Sequence, residues 1–192
     1  MLKLRNFDPF EQRQLFTMMS DPAVFPYVRH KATSYEEFVE VNAWTIEAEG
    51  RGELISRVIM NEENQPAGVI NLFDIADRSG FIATWLGTSH QGKGLNQVAK
   101  KEFLHEVFTT TTIESVYMCI RQTNIRSQKA ARKLPYVVTA NEEGWARFAA
   151  LREDYASFEL LEIPKVLFQA YEVGALERAA AFEAMSCEVV YA

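Results

Sequence analysis

The segment "ATWLGTSHQGKGLNQVAKKEFLHEVF", Ala83 to Phe108, sets Gly92, Lys93 and Gly94 where an apolar strand pattern gives way to an amphipathic helix pattern. A helix start offers backbone N–H groups without intrahelical partners and the positive end of a dipole. Glycine there lets a bulky anion reach backbone with no Cβ in the way. Phosphate or pyrophosphate binding is the chemistry these residue types support. A plain turn between strand and helix is the other reading, and these residues alone leave both open. Two familiar phosphate loops fail on spacing. A Walker A loop needs Lys after its second glycine and then Ser or Thr, whereas Lys93 lies between the glycines. A dinucleotide fingerprint needs a third glycine where Gln97 stands.

The elements that must hold this loop read as alternating strands and helices. "LKLRNF" has a short strand pattern, and "EQRQLFTMMSD" a helix with Leu15, Met18 and Met19 on one face, stopped by Pro22. After the loop "DPAVFPYVRHKAT", "SYEEFVEVNAWTIEAEG" starts with a capping-box pattern, Ser34 with Glu37. It turns Phe38, Val41 and Ile46 inward and closes at Gly50. "LISRVIM" and "PAGVINLFDI" form a hairpin about "NEENQ", and "GFIATWLG" feeds the glycine loop. "IESVYMCI" is a further strand, and "NIRSQKAARKL" a helix ending at Pro135. The order is mixed α/β, and a strand-helix-strand unit around the glycine loop implies a parallel pair with a right-handed crossover. No repeat or linker divides the chain, so residues 1–192 are expected to form a single domain.

Composition narrows the function classes. Of 192 residues 48% are hydrophobic, enough for a sizeable core. Twenty basic residues against 26 acidic give a net charge of -6, which makes nucleic acid and anionic lipid poor partners. Cys119 and Cys187 form neither a metal cluster nor a disulfide framework, so no metal is expected and a reducing, cytoplasmic setting fits. "MLKLRNFDPFEQ" has no apolar run after its basic residues, and no segment is long and apolar enough to span a bilayer; a soluble protein is expected.

The run Gln91-Gly92-Lys93-Gly94-Leu95-Asn96 resembles the [RQ]-x-x-G-x-[GA] loop of the GNAT superfamily of acyl-CoA-dependent N-acyltransferases, with Asn96 at the usually small last position. About 28 residues on, "NIRSQKAARKLPY" resembles the family's second signature, with Asn124, Ser127, Lys133 and Tyr136 in register and Pro135 where glycine is usual. The flanks "LRNF", "SDPAVFPYV" and "AGVINLFDIADRSGFIATWLGTSHQGKG" are similar as well, so the resemblance covers roughly residues 2 to 136. It is nearest the branch that acetylates ribosomal-protein N-termini and small amines.

The resemblance implies a GNAT-like mixed, mostly antiparallel twisted sheet, flanked by helices, with a parallel strand pair splayed around CoA. It implies acetyl-CoA as cosubstrate and a primary amine as acceptor: a protein N-terminus, a polyamine or another small amine. The pantetheine arm would lie on the backbone of Trp85, Leu86, Gly87 and Thr88, and the pyrophosphate on Gln91 to Asn96 with the Lys93 ammonium nearby. Asn124 would bond the pantetheine, and Lys129 and Arg132 either meet the ribose phosphate or stay solvated. Thioester aminolysis needs a neutral amine, a stabilised oxyanion and a proton for the leaving thiolate. The tyrosine that many relatives use as acid falls on Ala131, which leaves Ser127 as the catalytic candidate; a helix-start packing role is its alternative. The glutamate that branch often uses as base falls on Phe81, leaving water or Asp74.

Other residues read as structural. His30 sits in the loop that lines the acceptor pocket in relatives but is read as solvated, His90 as a turn residue and His105 as helix surface. Phe25, Tyr27, Trp44 and Trp85 are read as core before cleft. Glu36, Glu37, Glu40, Glu47 and Glu49 form an acidic helix, either a solvated face or an attraction for a cationic acceptor. In the tail, "YVVTA" and "YASFELLEI" are strands and "NEEGWARFAALRED" helical. "KVLFQAYEVGALERAAAFEAM", with Leu167, Ala170, Tyr171, Leu176 and Ala180 at helical spacing, is an added helix that seals the core, covers the acceptor site or mediates a homodimer. The rival from another class is a non-catalytic acyl-CoA-binding or protein-interaction module.

Overall fold

A computed structural model describes the backbone of residues 3–5 and 8–189, and the side chains of residue 8 and residues 10–178. The chain divides into two compact units, Met1–Ile113 and Glu114–Ala192.

The first unit holds β1 (Lys3–Arg5), α1 (Gln12–Met19), α2 (Tyr35–Gly50), β2 (Ile55–Met60), β3 (Pro66–Ala76), β4 (Ser79–Leu86) and α3 (Leu95–Thr110). Its strands pair antiparallel in the order β1-β2-β3-β4, with Leu4 opposite Ile59, Val58 opposite Val69 and Asn71 opposite Ala83. The β2–β3 turn forms because Asn61 Oδ1 accepts from the N–H groups of Glu63 and Gln65 while Asn64 takes a φ of 59°. The β3–β4 turn places both Asp77 and Arg78 at positive φ, the backbone twist a tight hairpin requires, without the usual glycine. Leu15 and Met19 of α1, Phe38 of α2, Val58 and Met60 of β2 and the loop residues Val24, Val28 and Ala32 pack into one apolar cluster, with Trp85 and Val69 against its edge.

The expected box at Ser34 is half reciprocal. Ser34 Oγ accepts from Glu37 N at 3.1 Å, but the Glu37 carboxylate reaches one residue further back, to Thr33 N at 2.6 Å and Thr33 Oγ1 at 2.8 Å. Ile46 is 48% exposed and not inward. The inner face of α2 is the i, i+3, i+4, i+7 set Phe38, Val41, Asn42 and Thr45, from which Ile46 is turned away. The glycine in the left-handed region is Gly52, at φ 75°, rather than Gly50, the last residue of the helix.

The second unit holds β5 (Ser115–Arg121), α4 (Ile125–Ala131), β6 (Val138–Thr139), α5 (Glu142–Leu151), β7 (Phe158–Pro164) and α6 (Lys165–Val189). β7 pairs antiparallel with both β5, Met118 opposite Leu161, and β6, Val138 opposite Glu162. Every described ladder inside either unit is antiparallel. α4 ends at Ala131, four residues before Pro135, because Leu134 N and Val137 N bond to the carbonyls of Ala131 and Leu134 in tight turns. α6 forms as expected, but among its described side chains the buried one is Phe168, which meets Tyr136 edge-on at 5.0 Å. Leu167 and Leu176 of the expected inward stripe are exposed, and the Ala180 side chain lies outside the described residues. No described helix is long and apolar enough to cross a membrane, and the described residues hold no cluster of metal-ligating side chains.

Candidate active site

β4 leads into the glycine loop through a short 3-10 turn, Thr88–His90. Gly87 N donates to Ala67 O at 2.9 Å, so the hairpin with β3 persists to the loop's edge. The carbonyl of Trp85 leans over Gly68, where a Cβ would lie 2.1 Å from it, and Gly87 is pressed on Met18, whose sulfur would lie 2.7 Å from a Cβ. Gln91 Nε2 donates back to Leu86 O at 3.0 Å, and Thr88 Oγ1 donates to Asp21 Oδ2 at 3.0 Å. Both side chains therefore brace the loop.

Gly92 and Gly94 have φ of 76° and 78°, and Gly94 is the N-cap of α3. Nothing lies within 4 Å of a Cβ built at either. Backbone conformation, not crowding, requires glycine here, and the space beside it is open. Gln97 N and Val98 N both turn back to Gly94 O, while the N–H groups of Leu95 and Asn96 belong to the first turn, where a helix supplies no acceptor. Lys93 and Asn96 are exposed and Leu95 half-buried. The arrangement suits a diphosphate, the group a CoA thioester would place there. His90 shapes the turn, its N–H donating to Gly87 O at 2.9 Å, as expected of it.

A cleft of about 50 Å³ opens in the first unit between the α1–α2 loop, α2 and the sheet. That volume has room for a few water-sized groups. Its walls include Tyr27, Arg29 and His30 from the loop, Val41, Asn42 and Thr45 from α2, Ser56 and Asn71 from β2 and β3, and Ala83, Thr84 and Trp85 from β4. Ser56 Oγ donates to Asn71 Oδ1 at 2.7 Å across the ladder. Asn42 Nδ2 and Thr84 Oγ1 are buried without a hydrogen-bond partner among the described residues. Two orphaned polar atoms in one cleft are what a polar guest would satisfy.

His30 is half-buried, edge-on to Trp44 at 5.4 Å and tilted against Phe73 at 6.3 Å. Burial pushes its pKa down, the Arg29 guanidinium pushes it further, and Asp74 opposes both. The ring is thus neutral at pH 7, and it is not the solvated residue expected from the loop's polarity. Arg29 lies over the Phe73 ring at 3.5 Å and pairs with Asp74 at 2.5 Å. That pairing engages Asp74, the carboxylate expected as an alternative base. Phe81, where a glutamate base was sought, is buried and stacked on Phe73 at 6.4 Å. The aromatic residues expected as core are half-buried or exposed: Tyr27 and Trp85 line the cleft and Trp44 backs His30. The acidic face of α2 is partly neutralised, with Glu49 paired to Arg57 at 2.5 Å.

In the second unit Asn124 caps α4, its Oδ1 accepting from Ser127 N at 3.1 Å. The Ser127 side chain is half-buried, and its hydroxyl has no partner among the described residues. Arg132 is paired with Glu159 at 2.6 Å, while Lys129 is exposed. Sequence reasoning missed Asn42, Thr45, Ser56, Asn71 and Thr84. The available signal was Ser56 and Asn71, polar residues inside two apolar strand runs.

Residues 1–137 match the family described as the acetyltransferase (GNAT) domain, and the chain belongs to that family. It is an acetyl-CoA-dependent N-acetyltransferase with the family's mixed α/β fold. Among solved structures it is similar to a nucleotide-linked sugar GNAT, FdhC, at 15% identity and TM-score 0.72, over 91% of this chain and 93% of that one. It is also similar to the spermidine N-acetyltransferase of Vibrio cholerae with CoA and spermine, at 15% identity and TM-score 0.69, over 88% and 98%. A third, the ribosomal L7/L12 α-N-protein acetyltransferase RimL with CoA, shares 22% identity at TM-score 0.66, over 73% and 81%. No curated protein sequence matches the chain.

Proposed function

We propose that the protein transfers acetyl from acetyl-CoA directly to a primary amine carried on an uncharged polar scaffold, a peptide N-terminus or an amino sugar, in preference to a polyamine. The observation that carries this reading is the cleft lining. Its described residues contribute hydroxyl and amide groups, the His30 imidazole and one cation, Arg29, but no carboxylate. A polyamine brings further positive charges that such walls would leave unpaired.

The pyrophosphate of CoA would rest on the backbone from Gln91 to Asn96, with Lys93 adding long-range attraction. The pantetheine arm would bond the backbone of Trp85 to Thr88, whose first member also walls the cleft. From the resemblance, Asn124 and Ser127 serve the pantetheine and the leaving thiolate. The family match crosses the boundary between the two units, which supports reading residues 1–192 as a single acetyltransferase domain. A chain with two cysteines and acetyl-CoA as its substrate fits a cytoplasmic setting.

The test is release of CoA thiol from acetyl-CoA in the presence of a short neutral peptide, glucosamine or spermidine. Peptide or amino sugar should give the higher kcat/KM. Spermidine as the best acceptor would overturn the preference, and no release with any amine would overturn the acceptor reading of the cleft.

A further inference from the structure

We propose that His30 is the general base of the transfer, accepting the proton that the acceptor amine must lose inside the cleft. The inference rests on the cleft being the acceptor site. Three observations support it. His30 lines the same cleft as Ala83, Thr84 and Trp85, and Trp85 begins the strand end assigned to the thioester arm, so this histidine borders the space where amine and acyl group would meet. Neither ring nitrogen has a hydrogen-bond partner among the described residues, so a lone pair is available. The ring is also held in place, edge-on to Trp44 and against Phe73, so its position does not depend on the substrate. The carboxylates that could compete are engaged or absent: Asp74 pairs with Arg29, and position 81 is phenylalanine.

The charged groups around the ring are Arg29 from its own loop and Asp74 from β3. α2 presents Asn42, Thr45 and Trp44, β2 presents Ser56, and β4 presents Thr84, all neutral. A neutral imidazole at pH 7 is the form a base requires, and the lowered pKa supplies it. In the transfer, the bound ammonium gives one proton to a ring nitrogen of His30. The freed lone pair bonds to the thioester carbon while the carbonyl pair moves to oxygen. Collapse of that intermediate breaks the C–S bond, the second nitrogen proton goes to the CoA thiolate, and His30 returns its proton to solvent.

The decisive variant is His30→Gln, which keeps size and hydrogen bonding and removes titration. Expected are a fall in kcat of about a hundredfold or more on an ordinary alkylamine, CoA affinity within about twofold, and an acid limb of kcat/KM that no longer levels off at the ring pKa, as the wild-type limb should, but keeps rising toward the pKa of the free amine. On aminoacetonitrile, an amine already neutral at pH 7, the loss should shrink to a few-fold, an outcome that mere loss of packing would not produce. Equal losses on both amines, or wild-type activity in a folded variant, would overturn the proposal. Should the variant not fold, the wild-type profile decides: kcat/KM without an acid limb below neutral pH excludes His30, whereas a limb tracking the ring pKa measured by NMR supports it. Wild-type protein inert toward every amine would overturn the acceptor reading of the cleft and this inference with it.

Discussion

The Asp74 carboxylate lies 2.5 Å from the Arg29 guanidinium, which itself lies 3.5 Å over the Phe73 ring. Each side chain of the pair is about a third exposed, so the pair is worth no more than about 1 kcal/mol to stability. Its main effect is on the neighbouring His30, whose pKa Arg29 lowers and Asp74 raises. Asp74→Asn should therefore shift the acid limb of kcat/KM to lower pH, and Arg29→Met should shift it higher. Asparagine tolerates the φ of 50° found at Asp74, so the backbone should hold. A hundredfold fall in kcat for Asp74→Asn would instead make the carboxylate the base.

Gly94→Val forces a β-branched residue to a φ of 78°, at a cost on the order of 1–2 kcal/mol. No described atom lies within 4 Å of the new Cβ, so the fold should survive. The loss should fall on CoA affinity, by about tenfold or more, because the loop must leave the conformation that presents its N–H groups. Wild-type CoA affinity in the folded variant, read by calorimetry, would remove the pyrophosphate from this loop.

Ser127 has a half-buried hydroxyl with no partner among the described residues, while Asn124 satisfies its N–H. If that hydroxyl protonates the leaving thiolate, Ser127→Ala should lower kcat about a hundredfold at nearly constant CoA affinity. If it only positions the arm, affinity should weaken by about 1 kcal/mol with kcat retained. The split between kcat and the CoA dissociation constant decides which.

Lys100 is half-buried on α3 with no carboxylate partner among the described residues, and burial pushes its pKa down to about 8. The ammonium of the unfolded chain titrates near 10.5. Between these values the unfolded state binds more protons, so this residue makes stability rise with pH from about 8 to about 10.5. Lys100→Met should flatten that rise and stabilise the protein at pH 7, by on the order of 1–2 kcal/mol in urea unfolding. A flat wild-type profile, with the variant no more stable, would show the ammonium to be hydrated.

The glycine loop was legible because its signals are local: a strand pattern, two glycines that the φ values require, and a helix pattern, all within one short run. The end of α2 was legible too: the helix closes at Gly50 as its pattern indicated, and the left-handed residue Gly52 follows two positions later. The stripe on α6 failed. Periodicity shows that a face is apolar but not whether anything covers it, and here Phe168 is buried while Leu176 stays exposed. The cleft was hidden because its walls come from a loop, two helices and three strands, assembled by registers such as Ser56 opposite Asn71 that no local pattern encodes. His30 looked solvated for the same reason: Trp44 and Phe73, which enclose it, lie far along the chain.

The perpendicular contact between His30 and Trp44, 5.4 Å between ring centres, also makes the indole an optical reporter. A protonated imidazole quenches a neighbouring tryptophan and a neutral one does so far less. Trp44 emission should therefore dim as pH falls through the His30 pKa. With Trp85 and Trp145 replaced by phenylalanine, the remaining signal would follow one proton at one ring in real time. Stopped-flow mixing with an acceptor amine could then time the arrival of that proton against the release of thiol.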